Sequence, residues 1–425
     1  MALAKVKSDL TEARLAGLTL PADGLPARQD ALARLSAMGL PTKRDEYWKY
    51  TDPASLTSPD PQPAALFYND EGPLFADRDR VKIVFVDGIF DAAKSDDLSA
   101  EGVDITLLGD ALAADIHWAK DMYGTLEARG QVPVERPLAA LNTAFAGQGV
   151  VIRATAKAAK PINLIYLHQD TASDAIIHNV VKVDAGAEVT LLETGPAAAR
   201  FNKLLEVDVA DGATFHHVRA QGRDHERQAV THIFAHIGAE ATFKSFTMTA
   251  NGRLTRNECV LEITGDDAVA HVAGVCVGDG ADFHHDDTVF ITHDALNGES
   301  RQVFKKVLRN GATGVFQGKI LVKADAQKTD GYQISQSLLL DDDSQFLAKP
   351  ELEIYADDVA CSHGSTSGAI DEDALFYLRS RGVPLREATN LLTLAFLAEA
   401  LEEVADDGLA DDLRDRMAGW LSRHS

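Results

Sequence analysis

LEIYADDVACSHGSTSGAIDEDALFYLRSRGVPLREATNLLTLAFL, residues 352–397, decides the fold, because the texture of the chain changes inside it. The long segment before it reads almost entirely as β-strand, and behind it only helical spacing follows. At the junction stand Cys361, Ser362, His363 and Gly364. Residues i and i+2 of an extended segment point to one face, so Cys361 and His363 would project together, roughly 6.5–7 Å apart. Thiolate and imidazole suit iron–sulfur, zinc or copper. The same pair also reads as a buried cysteine and a hydrogen-bonded histidine closing the last strand. Downstream, Asp371 is placed to N-cap a helix whose first turn carries Glu372 and Asp373 at the positive end of its dipole. Gly382 and Pro384 then stop that helix and open the next, which predicts a helical hairpin.

Upstream, from Val150 to Ala360, β-branched residues alternate with polar ones at period 2, and proline is absent between Pro196 and Pro350. A Gly-Ala turn signature recurs in GAEV at 186, GATF at 212, GAEA at 238, GADF at 280 and GATG at 311. Recurrence of one turn between short strands marks a stacked solenoid, which a jelly roll or sandwich would show only by accident. The reading is therefore mainly β: a β-helix core over 146–360, a mostly helical N-terminal domain over 1–145 and a helical C-terminal domain over 361–425. The N-terminal domain is read with helices near Lys5–Leu15 and Ala27–Met38 and a short strand in VKIVFVDG, 81–88. In the C-terminal domain Leu391, Leu394, Ala398 and Leu401 form one stripe, while Leu392, Phe396 and Leu397 cover other faces. A helix apolar nearly all round is buried in its own domain or against a partner. Leu409, Leu413, Met417, Trp420 and Leu421 give a last helix its apolar stripe.

The chain has 425 residues, 41 basic against 65 acidic, and a formal charge of −24. That sign argues against nucleic acid or an anionic membrane as a main partner. PTKRDEYWKYTDP, 41–53, has a basic-aromatic look through Lys43, Arg44, Trp48, Lys49 and Tyr50, yet on so acidic a carrier it reads as a structural anchor. No run approaches the length of a transmembrane helix, and acidic residues in the first turns argue against a signal peptide. Three cysteines without a paired spacing fit a reducing cytoplasm. GATGVFQGKI, 311–320, fails as a phosphate loop: three residues separate Gly314 from Gly318, and Lys319 leads into a strand. An ATPase, if one is involved, is then another subunit. The adjacent histidines at 216–217 and 284–285 point to opposite faces of a strand, so only alternate partners such as His284 with Asp282 or Asp286 could share a metal. Cys259 and Cys276 read as small buried hydrophobes. A cluster usually takes four protein ligands, and Cys361 with His363 supplies two. If that pair touches iron, the rest must come from another chain.

Residues 304–383 carry VFQGKI, AQKTDGYQ, LLL, KPELEI, DDV-CSHG and FYLRSRG in order, and PTKRDEYWKYTD lies near the N-terminus. This set resembles the SufB/SufD family of iron–sulfur cluster assembly proteins. Length and the lack of a cysteine-rich N-terminal motif fit the SufD branch better than the SufB branch. The resemblance implies a right-handed parallel β-helix and a non-catalytic scaffold. It implies a SufB-like partner along the β-helix and a SufC-like ABC-type ATPase on the C-terminal helices. It further implies that His363, with Cys361 of the same motif, faces a nascent cluster at the junction with the SufB-like subunit. Phe376, Tyr377, Arg379, Arg381, Leu391, Leu394 and Leu397 are the expected partner-binding residues of the hairpin. The chain alone should hold no stable cluster; reduced flavin in the complex and self-pairing of the isolated chain stay open. Removing everything after Gly382 is expected to leave the β-core folded. The competing readings are a SufB-like role, a carbohydrate-active β-helix enzyme, and a plain interaction protein in which the CSHG motif only closes the solenoid.

Overall fold

The computed structural model describes residues 3–66, 72–222 and 226–424. Among these, the strands from Val150 to Gly368 alternate between two sheets and stack in parallel, with every second strand pairing in register. The first sheet holds Ile162–Leu167, Glu188–Thr194 and their successors out to Asp330–Leu339 and Ala360–Gly368. The second runs from Val150–Ala154 through Arg200–Val209 to Gln345–Ile354. This is a two-sheeted β-solenoid. The uneven spacing of the Gly-Ala signature now has a cause. The turns at 186, 212 and 238 lead into strands of the first sheet, while those at 280 and 311 lead into strands of the second. The motif has changed sides of the solenoid, not rhythm.

The alternation reads inward and outward along each strand. Phe201, Leu205, Val207 and Val209 point into the common core with Val189, Phe215, Phe243 and Ala270. The outer faces are buried too, each by a helical layer, which is why Arg200–Val209 and Gln228–Ile237 are enclosed on both sides. Helices Leu3–Leu15, Pro26–Met38 and Pro137–Phe145 belong to the layer over the second sheet, where Leu138 and Leu141 pack with Val230 and Leu254. The C-terminal helices cover the first sheet, with Leu397, Leu401, Leu413, Met417 and Trp420 set on Val218, Phe246, Val275 and Val277.

Three boundaries differ from the sequence reading. Residues 1–145 supply strands to both sheets: Val81–Val86 pairs in parallel with Ile162–Leu167, and Val103–Leu107 pairs antiparallel with Val150–Ala154. The solenoid does not stop at 360, because Ala360–Gly368 is its last strand, in register with Asp330–Leu338. Backbone pairing needs no β-branched side chains, so a Ser-Gly-Thr sequence that reads as a loop still completes the sheet. Finally, helices Leu385–Ala398 and Asp407–His424 are the lid of the first sheet. Truncation after Gly382 would strip that lid and expose Val218, Phe246, Val275 and Val277, so the core is not expected to survive it intact.

Pro41–Pro53 is an anchor strapped across the second sheet. Trp48 is buried, with the Arg256 guanidinium 4.1 Å above its ring. Tyr47 meets the edge of Phe290 and donates to Glu351 at 2.7 Å. Thr51 donates to Asp286 at 2.5 Å. No described helix is long and apolar enough to cross a membrane.

Candidate functional site

Cys361 and His363 lie on the terminal strand of the first sheet, opposite Gly331 and Gln333. Gly331, Gln333, Ser335 and Ser337 are the buried, inward residues of their strand, so Cys361, His363, Ser365 and Ser367 occupy the inward positions of the last one. No further rung covers them among the described residues. The predicted same-face geometry therefore holds, with a consequence the sequence did not show: the shared face is the open end of the solenoid interior.

The two side chains differ in setting. Cys361 is half-buried and packs near Ile320, Val322 and Ala326. A Cβ on Gly331 would stand 3.2 Å from the Cys361 Sγ, so the glycine leaves the space that the sulfur fills. Burial pushes the Cys361 thiol up, countered by a hydrogen bond from the Gly331 backbone. As a metal ligand the thiol must lose its proton, so binding there would release one. His363 is exposed and makes no hydrogen bond or ion pair with a described residue. Beside Cys361 runs an open groove lined by Arg301, Asp330, Tyr332 and Ser362, in which Arg301 forks onto Asp330 at 3.0 and 2.9 Å.

The column that ends in Cys361 changes character along the solenoid: Val189, Phe215, Phe243 and Ala270 are followed by Ser300, Gly331 and Cys361. Its neighbour ends Gln302, Gln333, His363, with Gln333 donating to Gln302 at 2.7 Å. Hydroxyl pairs join Ser335 to Ser365 and, at 3.0 Å, Ser337 to Ser367.

Deeper inside lies a set of charges that the sequence reading missed. Glu193 accepts from His217 at 2.8 Å and is paired with Lys203, all fully enclosed. Burial drives Glu193 up, but Lys203 and His217 overcome it and its carboxyl lies well below the usual range. Burial lowers Lys203 to about 8 and His217 to about 4. A second set joins Lys306 to His285 at 2.8 Å and to Asp287, and burial brings His285 to about 3. Period 2 could have exposed them, since Phe215, His217 and Arg219 share one face in TFHHVRAQ.

The remaining candidates separate cleanly. His284 and Asp286 both bond Thr51 of the strap, and Asp286 is also paired with Arg256, so their polar groups are already occupied. Cys259 and Cys276 are enclosed, and burial pushes each thiol up to about 12. Among the described residues no three His, Cys, Asp or Glu side chains are grouped as a metal site. On the hairpin, Asp371 caps helix Glu372–Ser380 by accepting from Ala374 N at 2.9 Å. Phe376 and Tyr377 are 74% and 55% exposed, Leu391 is 47% exposed, and Arg379 and Arg381 are exposed beside them. Leu394 is half-buried. Leu397 is fully buried against the first sheet, so it is an internal packing residue and presents nothing to a partner.

The model of the SUF system FeS cluster assembly SufBD core domain matches residues 166–396, more than half of the chain. The chain belongs to the SufBD family. It is similar to the iron–sulfur cluster assembly protein SufD of Escherichia coli, 28% identical over 93% of each chain. A SufBD family protein of Synechocystis is 27% identical over 91% of this chain and 89% of its own. The SufD of Bacillus subtilis is 27% identical over 66% and 65%. The SufBD core match runs from the end of strand Ile162–Leu167 through Ala360–Gly368 and most of the hairpin, so the CSHG strand lies inside the family's own core.

Proposed function

We propose that this chain is a non-catalytic, SufD-like scaffold of a cytoplasmic iron–sulfur cluster assembly complex. In that reading its last rung meets a SufB-like subunit, and its hairpin holds an ABC-type ATPase. One observation carries this: the solenoid ends in two unpaired strand edges with a thiol and an imidazole at inward positions of its open mouth. An exposed edge is a template for strands of another chain, and two ligands short of four is what a shared site needs. The nascent cluster is cargo here, held between subunits. The exposed Phe376, Tyr377 and Leu391 of the hairpin, with Arg379 and Arg381, offer apolar and basic surface suited to a protein partner.

The test is His363→Ala in the assembled complex. Folding and capture of both partners should persist while cluster formation is lost. Full cluster formation by the variant removes His363 from the ligand set. Leu391→Asp should release the ATPase and leave the SufB-like partner bound; retention of the ATPase moves its dock elsewhere.

A further inference from the structure

A cavity of about 350 Å³ lies far from the open rung, between the outer face of the first sheet, the segment 73–80 and helix Asp407–His424. Its floor is apolar, built from Ile165, Leu167, Ala220, Met248, Ala250 and Val277. Trp420 closes one side, its ring stacked on His424 with centroids 4.0 Å apart and its indole N–H donating to Asn251 at 3.2 Å. The cavity's volume falls in the range of small-molecule sites.

The charges around it are one-sided. Arg80, Lys82, Lys94, Arg416 and Arg423 line the cavity, and no Asp or Glu does so among the described residues, in a chain where acids outnumber bases 65 to 41. Lys94 and Arg423 are exposed and Arg80, Lys82 and Arg416 half-buried, while Ala220, Met248, Ala250 and Val277 are buried, which makes a cationic rim over an apolar floor. Lys82 and Lys94 are ion-paired with Asp96 and Asp91, and Asp96 and Asp77 also act on Arg80. Arg80 donates from Nη1 to the carbonyls of Ala76 and Arg78, both at 2.9 Å, and its Nε has no hydrogen-bond partner among the described residues. Arg416 donates to the Gly72 carbonyl at 2.6 Å.

From this geometry we infer that the cavity binds a small organic anion: a flat apolar body on the floor against Trp420, with one phosphate, sulfonate or carboxylate head among the rim cations. A charge-assisted contact from a guanidinium is about twice as strong as a neutral hydrogen bond, and Arg is suited to forked recognition of such heads. The local field is needed because the chain as a whole repels anions. This site is independent of the cluster-ligand reading and survives its failure.

The test titrates the full chain with anilinonaphthalene sulfonate and with its neutral analogue N-phenylnaphthylamine, by fluorescence. The sulfonate should saturate one site and bind about tenfold tighter or better than the neutral probe. Arg80→Gln combined with Arg423→Gln should bring the sulfonate to the neutral probe's level and leave the neutral probe unchanged. Ala250→Trp, which fills the floor, should abolish both. Non-saturable binding, equal affinity of the two probes, or equal loss of both in the arginine variant overturns the proposal, as does a folded Ala250→Trp chain that still binds. Should Ala250→Trp fail to fold, the arginine pair, at the surface, decides alone.

Discussion

The two ends of the solenoid are built from the same rungs and finished in opposite ways. At the N-terminal end the first sheet is closed by Val81–Val86 with its antiparallel partner Ile89–Phe90, and the second by Val103–Leu107 with Ser99–Ala100. Helices bury the outside, and the interior is largely apolar, with enclosed charges such as Glu193 paired to Lys203 and His217. At the C-terminal end Gln345–Ile354 is partly exposed and Ala360–Gly368 mostly so; the first sheet's inner wall there carries serine, glutamine and histidine, while the second sheet's stays apolar with Ile320, Val322 and Leu352. An edge strand is normally blunted, because it invites pairing with other chains. One end is open and the other closed, so under the proposed function a partner strand would add at the C-terminal end.

That contrast can be broken by measurement. The largest effect is expected from Lys203→Met, which leaves Glu193 buried beside His217 with only Arg219 as a nearby cation. Loss of one partner of an enclosed pair costs about 3–5 kcal/mol, read from the urea midpoint, whereas Ser337→Ala near the open end should cost no more than about 1 kcal/mol. Equal losses would erase the difference between the ends.

The closed interior should also be acid-sensitive. Burial lowers His217 to about 4, from an unfolded value near 6.5. Between these values the unfolded chain binds the extra proton, so stability is full above pH 6.5 and falls as pH drops toward 4. The loss is roughly 3 kcal/mol for this one group, with His285 acting in the same direction. A melting temperature that stays flat from pH 7 to about pH 4.5 would mean that His217 is protonated inside the fold.

Smaller is Gly331→Ala, whose methyl would sit 3.2 Å from the Cys361 sulfur. Overpacking of this kind costs about 1–3 kcal/mol, and the displaced thiol should react faster with iodoacetamide; an unchanged alkylation rate would show that the glycine does not seat the sulfur. The smallest effect is His363→Ala, within about 0.5 kcal/mol because the side chain is exposed. A drop of several degrees in melting temperature would make His363 a structural residue.

Much of this architecture was legible in the sequence. Period-2 alternation and the recurring turn gave the solenoid, and Asp371, Gly382 and Pro384 gave the hairpin. What escaped was settled by tertiary pairing. On sequence the core is bounded at 360 because STSG carries little β-propensity, yet backbone pairing with Asp330–Leu338 extends the last strand to Gly368. Helical spacing puts Leu391 and Leu397 on different faces of 385–398 but does not say which face meets the sheet, so both stand among the expected partner-binding residues although Leu397 is enclosed and Leu391 exposed. The buried charges escaped because Glu193, Lys203 and His217 come from three different strands, and only stacking brings them together.

The hydroxyl pairs Ser335–Ser365 and Ser337–Ser367 have a kinetic consequence. In a stacked array each repeat is held by its neighbours, and an end repeat by one neighbour only. The last rung adds little apolar burial to that single contact, so its opening is decoupled from global unfolding. Amide protons of Ala360–Gly368 should therefore exchange with deuterium through local fraying, orders of magnitude sooner than those of Phe215 or Phe243 in the middle of the stack. A docked neighbour would supply the missing side, and slowed exchange at these nine residues would record its arrival.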